Sequence, residues 1–120
     1  MSTITIINKE NKFLTLINVF TVEAINQQRL VDILTLATET NVKNITGFIS
    51  ASLHRSTDGT KVTMYAQWKS VEDYQNMRSN ATASPYLTQA LEFAKFDMGM
   101  YEVVETFIPD GIRVQDGKVG

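Results

Sequence analysis

Residues 47–74 read GFISASLHRSTDGTKVTMYAQWKSVEDY, a stretch that alternates, turns, alternates again and then stops alternating. From Phe48 to Arg55 one side collects Phe48, Ser50, Ser52 and His54, and the other collects Ile49, Ala51, Leu53 and Arg55. A period of two fits a strand and no helix. Asp58-Gly59 supplies the turn. Val62 to Trp68 alternates again, with Val62, Met64, Ala66 and Trp68 opposed to Thr63, Tyr65 and Gln67. Ser70 and Asp73 then have the spacing of a capping box, whose hydroxyl takes an unpaired helical N–H, so a helix is predicted from about Val71 to Arg78. The stretch is a β-hairpin running into a helix.

Upstream, Phe13 to Phe20 reads as the first central strand. Periodicity alone would also allow a helix there, and β-branched and aromatic content favours the strand. Leu30, Ile33, Leu34 and Ala37 recur at helical spacing within Ala24–Thr40, with Gln27, Gln28, Asp32 and Glu39 on the rest of the helix, as expected of a helix lying on a sheet. Downstream, a small-residue break at Ser79–Ser84 precedes a short helix capped by Ser84, with Pro85 at its first position. Gly99 precedes a last strand, Met100–Phe107, and Pro109, Gly111 and Gly117 punctuate a tail in which Asp110-Gly111 and Asp116-Gly117 read as turns. The order is βαββαβ: an α+β, ferredoxin-like chain with a four-stranded antiparallel sheet and helices on one face. Residues 1–12 form an arm or an extra short strand at Thr3–Ile7, residues 13–107 the domain, and residues 108–120 the tail. Ile49, Ala51 and Leu53 should lie under the helices, with Phe48, Ser50, Ser52 and His54 facing away. That second face is too apolar for water and too polar for an ordinary core, so a partner subunit or a ligand should cover it.

Composition narrows the function classes. Hydrophobic residues at 43% and charged residues at 20% disfavour disordered and membrane classes. A net charge of −2 with no Lys/Arg run gives no electrostatic case for nucleic acid. The chain has no cysteine, which removes disulfides, thiolate metal sites and a Cys nucleophile. The first dozen residues lack a basic start followed by an apolar block, so the chain reads as cytoplasmic, with no membrane partner.

The segments LINVF at Leu16–Phe20, GFISASLHRS at Gly47–Ser56 with Asp58-Gly59 after it, YAQW at Tyr65–Trp68 and YEVVETF at Tyr101–Phe107 together resemble the antibiotic biosynthesis monooxygenase domains. That resemblance implies a homodimer formed sheet to sheet, a dimeric α+β barrel, with a pocket in each subunit between sheet and helices. The family includes cofactor-free oxygenases and haem degraders.

Several residues could carry chemistry. Asn18 interrupts an apolar strand, where a buried amide must find partners or cost about 1–3 kcal/mol. It is either a satisfied structural amide or a donor aimed at a substrate oxygen. Trp68 is either the largest core residue or a stacking platform with one N–H, and the family's matching Trp lines its pocket. Tyr74 falls where the family's anthrone oxygenases place a pocket Tyr, and otherwise reads as an amphipathic helix Tyr. His54, the one histidine, is a surface or interface residue or a general base suited to neutral pH. Phe20, Met64 and Tyr86 are candidate substrate contacts. The anthrone oxygenases usually carry Asn four residues before the Trp, where this chain has Met64. The haem degraders hold iron through a His of the second helix region, and no His lies between Ser70 and Lys95.

The resulting expectation is a cofactor-independent monooxygenase of a small aromatic, anthrone- or quinol-like substrate, with O2 as co-substrate, no metal, and haem disfavoured. Asn18, Trp68, Tyr74 and His54 are its candidate catalytic residues. A non-catalytic small-molecule or haem-binding dimeric barrel is the alternative, followed by a plain dimeric scaffold.

Overall fold

Strand β1 (Leu14–Val22) is flanked by β3 (Lys61–Trp68) and β4 (Ala94–Tyr101), and β2 (Phe48–Arg55) extends the sheet beyond β3. All pairings are antiparallel, in the order β2-β3-β1-β4. This computed structural model describes residues 3–79, 84–111, 114–115 and 118–119. Helix α1 (Gln27–Thr40), entered through a 3-10 turn at Ala24–Asn26, joins β1 to β2, while α2 (Val71–Arg78) and α3 (Ser84–Leu91) join β3 to β4. Two-residue strands β5 (Val114–Gln115) and β6 (Lys118–Val119) pair in the tail. The arrangement is the expected α+β, ferredoxin-like one. The break expected at Ser79–Ser84, the Ser84 side chain and the Asp116-Gly117 turn lie wholly or largely outside the described residues.

The hairpin forms where its alternation places it, and both ends are tied down. At the turn, Asp58 Oδ1 accepts from the Thr60 hydroxyl at 2.7 Å, the Thr60 N–H at 3.0 Å and the Ser56 hydroxyl at 2.8 Å. Gln27, buried at the start of α1, donates to the carbonyls of Ser56 and Lys61, both at 3.0 Å, and so ties helix to hairpin. At the far end the Asp73 N–H donates to Ser70 Oγ at 3.1 Å, and Ser70 Oγ donates to Asp73 Oδ2 at 3.0 Å, completing the cap of α2. Gly47 lies against that cap at φ +90°, and a Cβ there would run into the Asp73 side chain. Its carbonyl accepts from the Lys69 N–H at 2.7 Å, fixing the start of β2 beside the end of β3.

Two expectations need correcting. A β-bulge between Phe48 and Ser50 inserts Ile49 as an extra residue and reverses the faces before it. Phe48 therefore turns under the helices, its ring 5.4 Å from that of Trp68, and Ile49 is left 41% exposed. Ala51 and Leu53 stay on the helix side, with Ser50, Ser52 and His54 opposite. The last strand of the main sheet is Ala94–Tyr101 rather than Met100–Phe107. It pairs with β1 from Val22↔Ala94 to Thr15↔Tyr101, and β1 begins at Leu14, so little backbone is left to pair with anything later. Gly99 lies inside the strand with the Tyr101 ring over it. Beyond it, Val104 is 79% and Phe107 88% exposed.

The sheet face away from the helices holds Thr15, Ile17, Val19, Tyr65 and Gln67 by the pleat of these ladders. Gln67 is buried, donating to the Ile6 carbonyl at 2.7 Å and accepting from Ser50 Oγ at 2.9 Å, so the segment before β1 lies across this face without forming a strand.

Hydrogen bonds from the Thr60 hydroxyl and N–H, then from Ser56, hold the exposed Asp58 carboxyl down at about 2 from its ordinary 3.8. A carboxylate with a depressed folded pKa stabilises the fold above its unfolded pKa and loses that contribution as pH falls through the folded one. Asp58→Ala should therefore lower the urea midpoint at neutral pH and converge with the parent near about pH 2. Gly47→Ala should cost about 1–3 kcal/mol in the same measurement, because it combines a left-handed backbone with a collision at the cap.

Candidate functional site

The core divides into two clusters. Phe20, Val22, Leu30, Leu34, Val62 and Ala90 form one, and Leu16, Ala66, Trp68 and Tyr74 the other. On β1 the residue between Leu16 and Phe20 that points the same way is Asn18. At that level the packing opens into a cavity of about 300 Å³ between the sheet and the helices. Its floor is Leu16, Asn18, Phe20, Met64, Ala66, Trp68 and Phe96 from the sheet, joined by Phe48 and Ala51; its roof comes from Leu34, Ala37 and Thr38 of α1, Tyr74, Met77 and Arg78 of α2, and Tyr86, Leu87 and Thr88 of α3. The volume is at the lower end of the range of small-molecule sites, and the mix of apolar wall with a few polar groups is typical of them.

Asn18 is the polar group in the floor. Its Cα partners are Met64 on β3 and Met98 on β4. A thioether has no proton to give, so neither neighbour can donate to the amide. Its Oδ1 is buried and has no hydrogen-bond partner. The two readings of Asn18 thus separate on one atom: the carbonyl is not the satisfied amide of an ordinary core.

Trp68 and Tyr74 form one end wall. Trp68 is 1% and Tyr74 2% exposed, with ring centroids 6.0 Å apart at 65°. The strand end, the Ser70 cap and the first turn of α2 together set this edge-on contact, which is why the Gly47 and Ser70 geometry matters to the site. Arg78, one turn after Tyr74 on α2, donates from Nη1 to the Tyr74 hydroxyl at 3.0 Å, and its guanidinium carbon lies 5.9 Å from the centre of the Phe96 ring. Phe96 in turn stacks on Phe20 across the β1–β4 pair, centroids 4.9 Å apart.

The structure brings Asn18, Trp68 and Tyr74 to a single cavity, with Phe20, Met64 and Tyr86 in its lining. It does not bring His54 there. His54 shares the parity of Ser50 and Ser52, lies exposed on the opposite side of the sheet, and its Nε2 is 2.9 Å from Ser52 Oγ. Phe48 and Arg78 are cavity residues that sequence reading missed. Phe48 was hidden by the bulge, whereas Arg78 had a signal, since it stands four residues after Tyr74 and i, i+4 residues share a helix face.

The model of the antibiotic biosynthesis monooxygenase family matches residues 13–88. The chain is 34% identical over 93 residues to tetracenomycin-F1 monooxygenase of Streptomyces glaucescens, covering 78% of this chain and 83% of that one. Among solved structures, a monooxygenase from the ActVA-Orf6 gene of Streptomyces coelicolor, in complex with nanaomycin D, superposes with a TM-score of 0.71 at 26% identity over 84% of this chain and 96% of its own. SnoaB of Streptomyces nogalater, described as a cofactor-independent oxygenase, has the same fold at a TM-score of 0.71 and 17% identity, over 79% of this chain and 96% of its own. The sheet order, the cavity beneath the helices and these matches make the chain a member of the antibiotic biosynthesis monooxygenase family.

Proposed function

We propose that the chain is a cofactor-independent monooxygenase that oxidises a small aromatic, anthrone- or quinol-like substrate with O2 in this cavity. The observation that carries the reading is the buried, partnerless Oδ1 of Asn18 in an otherwise apolar floor. An unmade hydrogen bond of this kind costs about 1–3 kcal/mol, and a ligand hydroxyl would supply the missing donor.

The side chains suit a substrate that brings its own redox chemistry. Asn18 Oδ1 accepts from a phenol or enol hydroxyl and so favours the enol over the ketone. The Tyr74 hydroxyl already accepts from Arg78, which leaves its own proton free to point at a developing oxyanion. Trp68, Phe48 and Phe96 hold a flat ring in apolar surroundings, which strengthens both polar contacts. None of the described lining residues is Asp, Glu or His, so the acidic proton passes to water rather than to a side-chain base. The resulting carbanion or enolate gives one electron to O2; recombination forms a C–O bond and a hydroperoxide. Loss of the remaining C–H proton with O–O cleavage then leaves a carbonyl and water, so that one CH2 and one O2 become one C=O and one H2O.

Met64 favours the alternative of a non-catalytic binding protein, because it replaces the amide that the anthrone oxygenases usually carry. A haem-binding form of that alternative would hold its iron through the phenol oxygen of Tyr74 or Tyr86. The homodimer belongs to the same proposal. The sheet face away from the helices, where Ile17, Val19 and Tyr65 are half-buried beside the segment before β1, and the exposed Val104 and Phe107 offer apolar surface that a second copy would cover.

Asn18→Leu separates a site residue from a structural one. It should raise stability in urea by about 1–3 kcal/mol, by removing the unsatisfied carbonyl, while reducing oxygen uptake with 1,8-dihydroxyanthrone about tenfold or more. Trp68→Phe should reduce uptake with little change in oxygen affinity. Uptake unchanged in both variants would reject the assigned site, absence of uptake in the parent would reject the enzyme reading, and a Soret shift on adding haem would support the alternative. Light scattering at micromolar concentration should give twice the chain mass of 13.5 kDa.

A further inference from the structure

Arg78 is the one charged residue among the described lining residues of the cavity, and it is itself exposed, so it joins the cavity to solvent. A surface Arg at the end of a helix normally needs no explanation, since it complements the helix dipole and is solvated. Here the guanidinium is turned back along α2 to a phenol that is 2% exposed, and towards the Phe96 ring. The ion pairs among the described residues are Lys9–Glu105 and Lys43–Glu39, so no described carboxylate neutralises Arg78. Of its five N–H donors, one is given to Tyr74 Oη, and the exposed guanidinium keeps a planar fork that could exchange water for a ligand oxygen at the edge of the apolar cavity.

We infer that Arg78 is the specificity-determining residue of this cavity and that the ligand it selects carries an anionic oxygen on the α2 side, in addition to the hydroxyl read by Asn18. The inference rests on the cavity being the substrate site proposed above and adds the charge of what enters it. An oxyanion held by a guanidinium forms short, charge-assisted hydrogen bonds, about twice as strong as those of neutral partners. Trp68 and Phe48 grip any flat ring, and neither can tell a charged ring from an uncharged one. The discrimination falls to Arg78. A carboxylate and an ionised phenol present the same chemistry to the guanidinium, and the test tells them apart.

Trp68 is the single tryptophan of the chain and part of the cavity wall, so its fluorescence reports occupancy of this cavity directly. Three redox-inert probes of nearly equal shape suffice: anthraquinone-2-carboxylate, 2-hydroxyanthraquinone titrated above its own pKa, and uncharged 2-methylanthraquinone. The parent protein should bind at least one anionic probe about tenfold more tightly than the methyl compound, and the preference should weaken as salt is added. Arg78→Gln should bring that ratio close to one while leaving the methyl compound's affinity nearly as it was. Arg78→Lys, which keeps the charge and loses the fork, should fall between the two. Preference for the carboxylate alone identifies a carboxylate-bearing ligand, and preference for the ionised phenol alone identifies a phenolate. Equal affinity for all three probes, or a preference that survives Arg78→Gln, overturns the role of Arg78 while leaving the cavity as a binding site. Absence of quenching by every probe overturns the cavity reading itself, and the role of Arg78 with it.

Discussion

The antiparallel pairing of β1 with β3 is the constraint on which the site depends. It sets Leu16, Asn18 and Phe20 opposite Ala66, Met64 and Val62, all on the side facing the helices. A slip of one residue would carry Asn18 to the other face and bring Ile17 or Val19 into the cavity. The register is fixed from both ends. Gln27 bonds the Ser56 and Lys61 carbonyls and the Val22 N–H donates to Thr60 O at 2.9 Å at the turn, while Phe48, Trp68 and Tyr74 interlock at the capped start of α2. With both ends held, the middle of the sheet can carry a defect in its packing without losing alignment.

That defect is the Asn18 level. A domain of this kind is stable by about 5–15 kcal/mol, so one unsatisfied buried carbonyl at about 1–3 kcal/mol is a large fraction of the margin. An apolar residue at the same place would join the two core clusters into one. The neighbours cannot relieve the cost, since Met64 and Met98 flank the amide and neither donates. A polar atom held unsatisfied between two rigid apolar clusters is preorganised for an incoming donor, because nothing local competes for it.

The sequence made most of this arrangement legible, and the misses have specific physical origins. Hairpin, cap and α1 were visible because period two, period 3.6 and Ser/Asp capping each leave a local signature. Asn18 stood out as a polar residue in an apolar strand. Phe48 and Ile49 were exchanged because a bulge adds one residue without any compositional mark, and every face before it inverts. The last strand was displaced by treating Gly99 as a boundary. Ala94, Phe96, Met98 and Met100 alternate across it, and the glycine is accommodated where the Tyr101 ring takes up the space a side chain would fill. The imidazole of His54 has the chemistry of a general base, yet its parity with Ser50 and Ser52 places it away from Ala51 and Leu53. Arg78 escaped notice because a cation in the last turn of a helix is usually spent on the dipole and on water.

With Met64 opposite Asn18, the middle of the cavity floor offers one amide. With one, a flat molecule seated on Trp68 and Phe96 would still be free to turn about the single Asn18 contact, since stacking is tolerant of rotation in the ring plane. A second polar anchor at a distance removes that freedom. In this chain the cavity offers it at the α2 end, where Tyr74 and Arg78 stand joined at 3.0 Å and the guanidinium keeps donors to spare. The polar groups of the cavity are thereby divided between the sheet and a helix, and the α2 cap that positions Tyr74 shapes the cavity although it does not line it.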